Sequence, residues 1–509
     1  MTKHKGTKKP VDPSKLTPQY IEEQRRIRNE RKERERLAKE ARGEFDSPEP
    51  IEKFIKRPIL QVQPADDGKF SIKIMSYNIL AQCLIRRDLY PTNGKILKWS
   101  VRSKILLEEL HWYDPDVLCL QECDKIQYLH FWQQELRKVG YDSKFYRYNT
   151  KNHGLVIAFK SDWFTCKHQS YIKYDQELEY DPDEPRLPDP RIVTNNVGFM
   201  CFLEFKPSLV QQYPYLAERG GMIIGTTHAF WHPFGTYERT RQMYILLHKM
   251  KEFQRVMSVV NGNKKPFYSF FTGDLNCEPF DAPYLSMTAK PIKYEGQARN
   301  VLACSLSYTF SKERALDSES EEDDLNGIDE SSSSDEDKSG VDESSSSDED
   351  KSGVESQESE VSESTRLNNP SDPEPEEFSI TEEQDKLIKQ LENAHNGIPL
   401  RAISMYSAGY AAVHPENATE FRNEPSFSNW VEKWNGMLDY ILLIVPWSKD
   451  EDYTSKLDTH ESLEKYNIKL TKLLKLPTAN DMGPKPNGQP RLYQYPSDHL
   501  CIMAEIQLL

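Results

Sequence analysis

No stretch of the sequence approaches the ~20 consecutive apolar residues that a membrane-spanning helix needs, and the opening MTKHKGTKKP lacks the apolar core of a secretory signal. These absences predict a soluble intracellular protein with no membrane partner, in the nucleus, the cytoplasm or both. Cysteine is sparse, 8 in 509 residues, and no two form a C-x-x-C pair. Most sit in apolar surroundings, as in DVLCLQEC and HLCIM, which argues against a disulfide framework or a zinc site and for reduced core thiols. Basic residues nearly vanish from 316–385, where 3 Lys+Arg face 27 Asp+Glu. Apolar residues are almost missing there too, and the stretch contains the tandem repeat DESSSSDEDKSGV at 329–341 and 342–354. Such a composition offers little to offset the entropy of ordering, which predicts a disordered acidic insertion over 313–395.

Residues 316–385 carry a net −24, so a chain at −15 overall leaves +9 on the remaining residues, a balance suited to an anionic partner. Residues 1–67 read as a charged arm. Its segment IEEQRRIRNERKERERLAKEAR interleaves both signs at helical spacing without an apolar face, as a solvated helix would. Elsewhere short apolar runs of strand length recur: FSIKIMSYNIL, DVLCLQE, GLVIAF, NVGFMCFLEF, GMIIGTTHAF, PFYSFFTGDLN, MLDYILLIV and HLCIMAEIQLL. Amphipathic stretches such as VRSKILLEELHWY, YLHFWQQELRKV and TYERTRQMYILLHKMKEFQRVM separate several of them. The alternation predicts one large α/β domain in two parts, 68–312 and 396–509, with stacked sheets inside and helices outside.

Polar residues close or open these runs with unusual regularity. Asn78 ends IKIMSYN, Glu122 ends DVLCLQE, His228 ends MIIGTTH, and Asp274 with Asn276 ends FYSFFTGDLN. Asp439 lies in WNGMLDYIL, while Asp498 and His499 open the last run. On an extended chain residues i and i+2 face the same way, so Asp274 and Asn276 are expected to aim at one point. A hard cation such as Mg²⁺ takes oxygen ligands from one or two carboxylates and keeps waters for its substrate; Glu122 with Asn78 and Asp498 would supply them. Asp274 and Asn276 could orient and deprotonate a water beside a phosphorus atom while the amide donates to a charged oxygen. His499 would be a further donor, oriented by an acceptor for which Asp439 is the candidate.

Taken in order, SYNIL, LQE, KNHG, TTHAFWHP, GDLNCEP, WNGMLDYIL and PSDHL resemble the endonuclease/exonuclease/phosphatase superfamily. Within it CLIRRDLYPTNGKILKWSVRSKILLEEL, HPFGTYERTRQ and RAISMYSAGYAAVHPENATEF are most similar to the deadenylase and nocturnin branch, and to the fungal Ngl-type RNA exonucleases. The resemblance implies a four-layer α/β sandwich, two mixed sheets flanked by helices, and a phosphodiesterase using Mg²⁺, for which Mn²⁺ can substitute. Carried over, it makes Glu122 the principal metal ligand, Asn78 its partner and Asp498 a further metal-site carboxylate. Asp274 then handles the water, Asn276 contacts phosphate, Asp439 orients His499, and His228 is the earlier active-site histidine.

The implied substrate is the 3′ end of single-stranded RNA, a poly(A) tail or a ribosomal RNA 3′ end such as that of 5.8S, with pre-ribosomal particles as a candidate partner. A nocturnin-like phosphatase acting on a 2′-phosphorylated dinucleotide is the alternative, and a silent RNA-binding module a third. No leucine-rich docking repeat precedes the domain, so the protein is expected to act alone or through its charged tails, as a monomer. Trp231, Phe234, Tyr237, Tyr406, Tyr410, Phe427 and Trp430 lie between the motifs, where bases could stack. Asn429 in FSNW resembles the adenine-contacting position of deadenylases, and Lys151, Arg239 and Arg241 could hold the backbone. Two departures stand out. Trp231-His232-Pro233 replaces a W-D-P and Lys151-Asn152-His153-Gly154 a K-x-D-G, each removing a carboxylate near the substrate path.

Overall fold

The computed structural model describes residue 26 and residues 54–509, apart from 87–88, 91–93, 150, 181, 183, 263–265, 311–378, 432–433 and 484–487. The arm's helical segment apart from Arg26, and residues 313–378 of the acidic insertion, therefore fall outside the described residues. The chain divides into Met1–Glu52 and a unit from Lys53 to Leu509 that holds all the structure discussed below.

Among the described residues fifteen strands occur in chain order: β1 Ile59–Gln61, β2 Phe70–Asn78, β3 Val117–Asp124, β4 Tyr141–Tyr146, β5 His153–Lys160, β6 Phe164–Lys173, β7 Val197–Phe205, β8 Gly221–His228, β9 Tyr268–Asp274, β10 Leu400–Ser404, β11 Asn429–Trp430, β12 Asn435–Gly436, β13 Asp439–Pro446, β14 Ile468–Leu474 and β15 Ile502–Leu508. One sheet runs β1-β14-β15-β2-β3-β5-β4 and the other β10-β13-β9-β8-β7-β6, while β11 and β12 form a separate ribbon. All eight apolar runs are strands of the two main sheets.

The period-2 pattern explains the layers. On β2, β3 and β5, Ile72, Ile74, Val117, Cys119, Leu155 and Ile157 join the large core shared with the second sheet. Their neighbours Met75, Tyr77, Leu118, Leu120, Val156 and Ala158 face the other way, onto Ile105, Leu106 and Leu110 of the helix Trp99–Tyr113. Across the second sheet, the helix Thr236–Asn261 buries Met243, Leu246, Leu247 and Met250 in the large core. Helices outside and two stacked mixed sheets inside give the four-layer α/β sandwich.

Each sheet has one parallel pair at its centre, β2 with β3 and β8 with β9. In both, the strand beside the pair, β15 or β13, runs antiparallel. The carboxyl ends of four central strands and the amino ends of two thus gather at one edge of the sandwich, the usual place for a ligand in open α/β sheets.

Two boundaries differ from the sequence expectation. Pairing of β1 with β14 and burial of Phe54 place residues before 68 in the folded unit. Within the span assigned to the insertion, a helix Glu382–Gly397 buries Ile388, Leu391 and Ala394 and is started by a capping box on Thr381. Its acidic first turn, suited to a helix N-terminus, made it read as part of the acidic tract.

Candidate active site

Strand register brings the polar ends together. His228 pairs with Asp274 across β8 and β9, and Asp439 pairs with Asp274 across β13 and β9. The β8–β9 approach depends on Gly273, whose φ is +140° and whose added Cβ would run into Thr227 O. On the facing sheet Asn78 pairs with Gln121, next to Glu122. A bulge in the pairing of β3 with β5 falls between Leu120 and Cys123, and Glu122 takes a left-handed φ of 55°. Bulges re-aim side chains, and a strained non-glycine residue at a site is held by its surroundings. Here Glu122 Oε1 accepts from Asn78 Nδ2 at 2.9 Å and Oε2 from Ala81 N at 2.9 Å.

Asp274, 1% exposed, is the hub between the sheets. Its Oδ2 accepts from Asn78 Nδ2 at 3.0 Å and lies 3.5 Å from both His228 Nε2 and His499 Nε2. His499 Nδ1 donates to Asp439 Oδ2 at 2.7 Å, and that oxygen also accepts from Ser428 Oγ at 2.7 Å. Burial works against charge on His499, but Asp439 and Asp274 outweigh it and hold its pKa well above the ordinary imidazole value. The charges around it favour the doubly protonated ring, whose Nε2 faces Asp274, although burial also raises the pKa of Asp439.

The expectation that strand alternation aims Asp274 and Asn276 at one point needs correction. The strand stops at Asp274, Asn276 is left-handed at φ 49°, and its N–H donates to Asp274 Oδ1 at 2.9 Å in a tight turn. Asn276 Nδ2 donates to Ala229 O at 3.0 Å, which leaves its second amide hydrogen uncommitted to that contact. Strand alternation does not bring these two residues together; the turn does.

Among the expected metal-site residues, Glu122 keeps accepting capacity on both oxygens and has 12% of its side chain exposed. Asn78 is placed differently from a ligand. Its amide hydrogens bridge Glu122 and Asp274, and its Oδ1 is taken by Leu80 N at 3.0 Å. Asp498 Oδ2 accepts from Tyr90 OH at 2.8 Å. Atoms of Asp274, Asp439 and His499 also lie within 4.8 Å of one another. Within that trio Asp439 Oδ2 is taken by His499 Nδ1, while Asp439 Oδ1 is buried without a hydrogen-bond partner among the described residues. The hard oxygen chemistry of Glu122, with carboxylates behind it, fits a divalent cation such as Mg²⁺.

The proposed substrate-side residues divide. Lys151 lines a cavity with Glu122, His153, Asn195, Asn196 and His228. Trp231 is 52% exposed and stands edge-on to His232. Asn429 pairs with His499 through the backbone, and its buried Oδ1 has no hydrogen-bond partner. Arg239 is instead internal, its guanidinium donating to Phe230 O at 3.0 Å, His232 O at 2.6 Å and Thr236 Oγ1 at 3.0 Å. Arg241 is buried and donates to Pro188 O. Tyr410 is fully buried, hydrogen-bonded to His414 Nδ1 at 2.7 Å and to the Leu476 backbone. Tyr237, Tyr406, Phe427 and Trp430 are core as well, and Phe234 stacks on Tyr308. Sequence reasoning gave no role to His153, Asn196, Ser428 or Tyr90. All four lay inside stretches quoted for other reasons: Tyr90 in CLIRRDLYPTNGKILKWSVRSKILLEEL, His153 in KNHG, Asn196 at the start of NVGFMCFLEF and Ser428 in FSNW.

A two-sheet sandwich with carboxylates, amides and an imidazolium at the strand ends is the layout of a hydrolase acting on phosphoesters. The chain belongs to the Endonuclease/Exonuclease/phosphatase family, whose model matches residues 75–317. It is 39% identical to RNA exonuclease NGL2 of Saccharomyces cerevisiae, over 99% of this chain and 92% of that protein. With the Probable RNA exonuclease NGL3 of the same organism it shares 34% identity, over 96% and 90%. The crystal structure of ANGEL2, described as a 2′,3′-cyclic phosphatase, superposes with a TM-score of 0.51 at 20% identity, covering 89% of this chain and 99% of that one. That likeness shows the shared fold.

Proposed function

We propose that this protein is a divalent-metal-dependent RNA exonuclease that removes nucleotides from 3′ ends and releases 5′-mononucleotides. The observation that carries the reading is the hydrogen-bonded row Glu122–Asn78–Asp274 with His499–Asp439 beside it, in a chain similar along nearly its whole length to proteins named RNA exonucleases. Adenylate-rich tails and a ribosomal RNA 3′ end such as that of 5.8S are the proposed substrates, met as free RNA or on pre-ribosomal particles.

Glu122, with Asp274 or Asp498 near it, would hold Mg²⁺ or Mn²⁺, which supplies Lewis-acid charge stabilisation. The chain's own groups do the rest. Asp274, with Asn78 donating to its Oδ2, accepts the proton of the attacking water and sets its line of approach. The second Asn276 amide hydrogen and the Nε2–H of His499 donate to phosphoryl oxygens as charge builds on them. His228, whose backbone carbonyl is pinned by Asn196 Nδ2 at 3.1 Å, stands on the other side of Asp274. Water's oxygen bonds to phosphorus as the ribose 3′ oxygen leaves, so the released nucleotide keeps a 5′ phosphate.

The test uses the purified chain with Mg²⁺ and 5′-labelled oligonucleotides of A, U and mixed sequence. A descending ladder that needs a free 3′ hydroxyl is expected. Release of inorganic phosphate from a 2′-phosphorylated dinucleotide, with no RNA shortened, would replace this reading with the phosphatase one.

A further inference from the structure

His153 replaces a carboxylate in the KNHG motif, and the structure gives it a definite setting. It is the first residue of β5 and pairs with Asp124 at the end of β3. Its parity is that of Leu155 and Ile157, so it faces the second sheet and the cleft between the sheets. The turn before it is fixed: Lys125 N donates to Asn152 O at 2.7 Å, and Arg147 Nη1 donates to Lys151 O. At Gly154 any Cβ would press on Tyr146 O and Arg147, so the chain there can take no other residue cheaply. The half-buried His153 ring lines the cavity shared by Glu122, Lys151, Asn195, Asn196 and His228. Burial foremost, then Lys151 and His228, lower its pKa well below the ordinary value.

Topology says which side of the centre this cavity occupies. Both sheets run in the same sense across the site: β15, β2, β3, β5 in one and β13, β9, β8, β7 in the other. His499 and Asp439 stand at the β15/β13 end, Asn78, Glu122, Asp274 and His228 in the middle, and His153 with Asn196 at the β5/β7 end. A strand of RNA whose scissile phosphate lies at the middle of this row places a neighbouring phosphate at one end of it. The β5/β7 end offers an ammonium, an imidazole and two amides. A carboxylate at 153 would cancel the charge of Lys151 and repel that phosphate.

We propose that His153 is a specificity-determining residue which, with Lys151, forms a subsite for the RNA backbone phosphate next to the scissile one. The inference rests on the exonuclease reading above. One imidazole N–H donates to a non-bridging oxygen of that phosphate, and the Lys151 ammonium balances its charge.

The test compares two 5′-labelled RNAs, one all-phosphate and one in which the linkage next to the scissile one is an uncharged methylphosphonate. Each is run with the wild-type chain, His153→Asp and His153→Asn under single-turnover conditions. On all-phosphate RNA, His153→Asp should raise the half-saturating concentration about tenfold or more, the worth of one charge-assisted hydrogen bond, with little change in the maximal rate. His153→Asn, which keeps a donor, should recover most of that loss. On the methylphosphonate strand, wild type and His153→Asp should bind alike. An equal loss on both strands, or no loss on either, overturns the subsite. Should the wild type shorten no RNA, the exonuclease reading fails. The subsite is then judged by fluorescence anisotropy of the same strands in EDTA, where the methylphosphonate must still erase the difference between His153 and Asp.

Discussion

Replacing Asp439 with Asn changes one atom of a side chain with no solvent exposure and removes the charge that the His499 ring faces. Asp439 Oδ2 accepts from His499 Nδ1 and from Ser428 Oγ, both at 2.7 Å. If the amide oxygen takes that place, the ring keeps its Nδ1 proton but loses the charge that favours imidazolium. If the amide nitrogen takes it, the ring must turn to the opposite tautomer. A hydrogen bond to a charged group contributes about 1.5–3 kcal/mol, or roughly 10- to 150-fold in rate where it acts only in the transition state. Loss of a positioned proton donor costs about 10²–10⁴. Asp439→Asn should therefore lower kcat by about 10²–10⁴ while KM stays within about threefold, since the ground state makes little use of the imidazolium. Single-turnover hydrolysis of a 5′-labelled oligonucleotide reads this, with thermal unfolding as the control for folding. Ser428→Ala removes one of the two bonds to Asp439 Oδ2 without the charge, and should cost only about tenfold. A folded Asp439→Asn variant with wild-type kcat would refute the assignment of His499 as the charged donor.

Glu122→Gln should abolish hydrolysis in Mg²⁺ with the fold retained, and EDTA should abolish it in the wild type; full activity in EDTA would contradict the metal requirement. Deleting 316–378 should leave turnover on short RNA unchanged or raise it by removing like charge. Extending the cut to 395 should unfold the chain on thermal denaturation, because it takes the Thr381 cap and the buried Ile388, Leu391 and Ala394 with it. Tyr410→Phe should lower stability by about 1–3 kcal/mol and leave RNA affinity alone, whereas Trp231→Ala should weaken RNA binding by about 1–3 kcal/mol without moving Tm. Burial raises the fully enclosed Glu424 to about 7, and Tyr284 OH donates to its Oε1 at 2.7 Å. The folded chain thus holds a proton there that the unfolded chain releases near the ordinary carboxylate value. Stability should be full below about pH 4.5 and fall by about 3 kcal/mol towards pH 7, and Glu424→Gln should flatten that slope in urea titrations.

What the sequence displays most clearly is whatever depends on period and on strand ends. The eight long apolar runs stand out because central strands are buried on both faces, so nearly every residue is apolar. Edge strands β4 and β6 carry Asp142, Lys144, Lys167, His168 and Gln169 towards solvent, and no run marks them. In β14 a bulge between Leu470 and Lys472 breaks the alternation that would have announced it. The polar strand ends were legible for the opposite reason: a carboxylate or histidine at the end of a buried run has no packing purpose, and its type shows at once.

Orientation within the site was not legible, because it is set where regular structure stops. Glu122 is turned by a bulge and a left-handed φ, and Asn276 by a turn beyond the strand, so extrapolating strand alternation assigned Asn276 a geometry it does not have. The aromatics failed for a related cause. Tyr406 and Tyr410 lie in a short helix, Met405–Val413, and their hydroxyls bond to the backbone of β14, β15 and the segment after β14. A tyrosine whose hydroxyl is satisfied internally and one that awaits a base carry the same letter. Their difference is the presence of a backbone acceptor more than 60 residues away. His153 shows the converse. Its departure from the family motif was visible in the sequence, but its meaning came from the register of β5 against β3, which aims the ring into the cleft beside Lys151 and makes a substitution read as a change of charge at a phosphate.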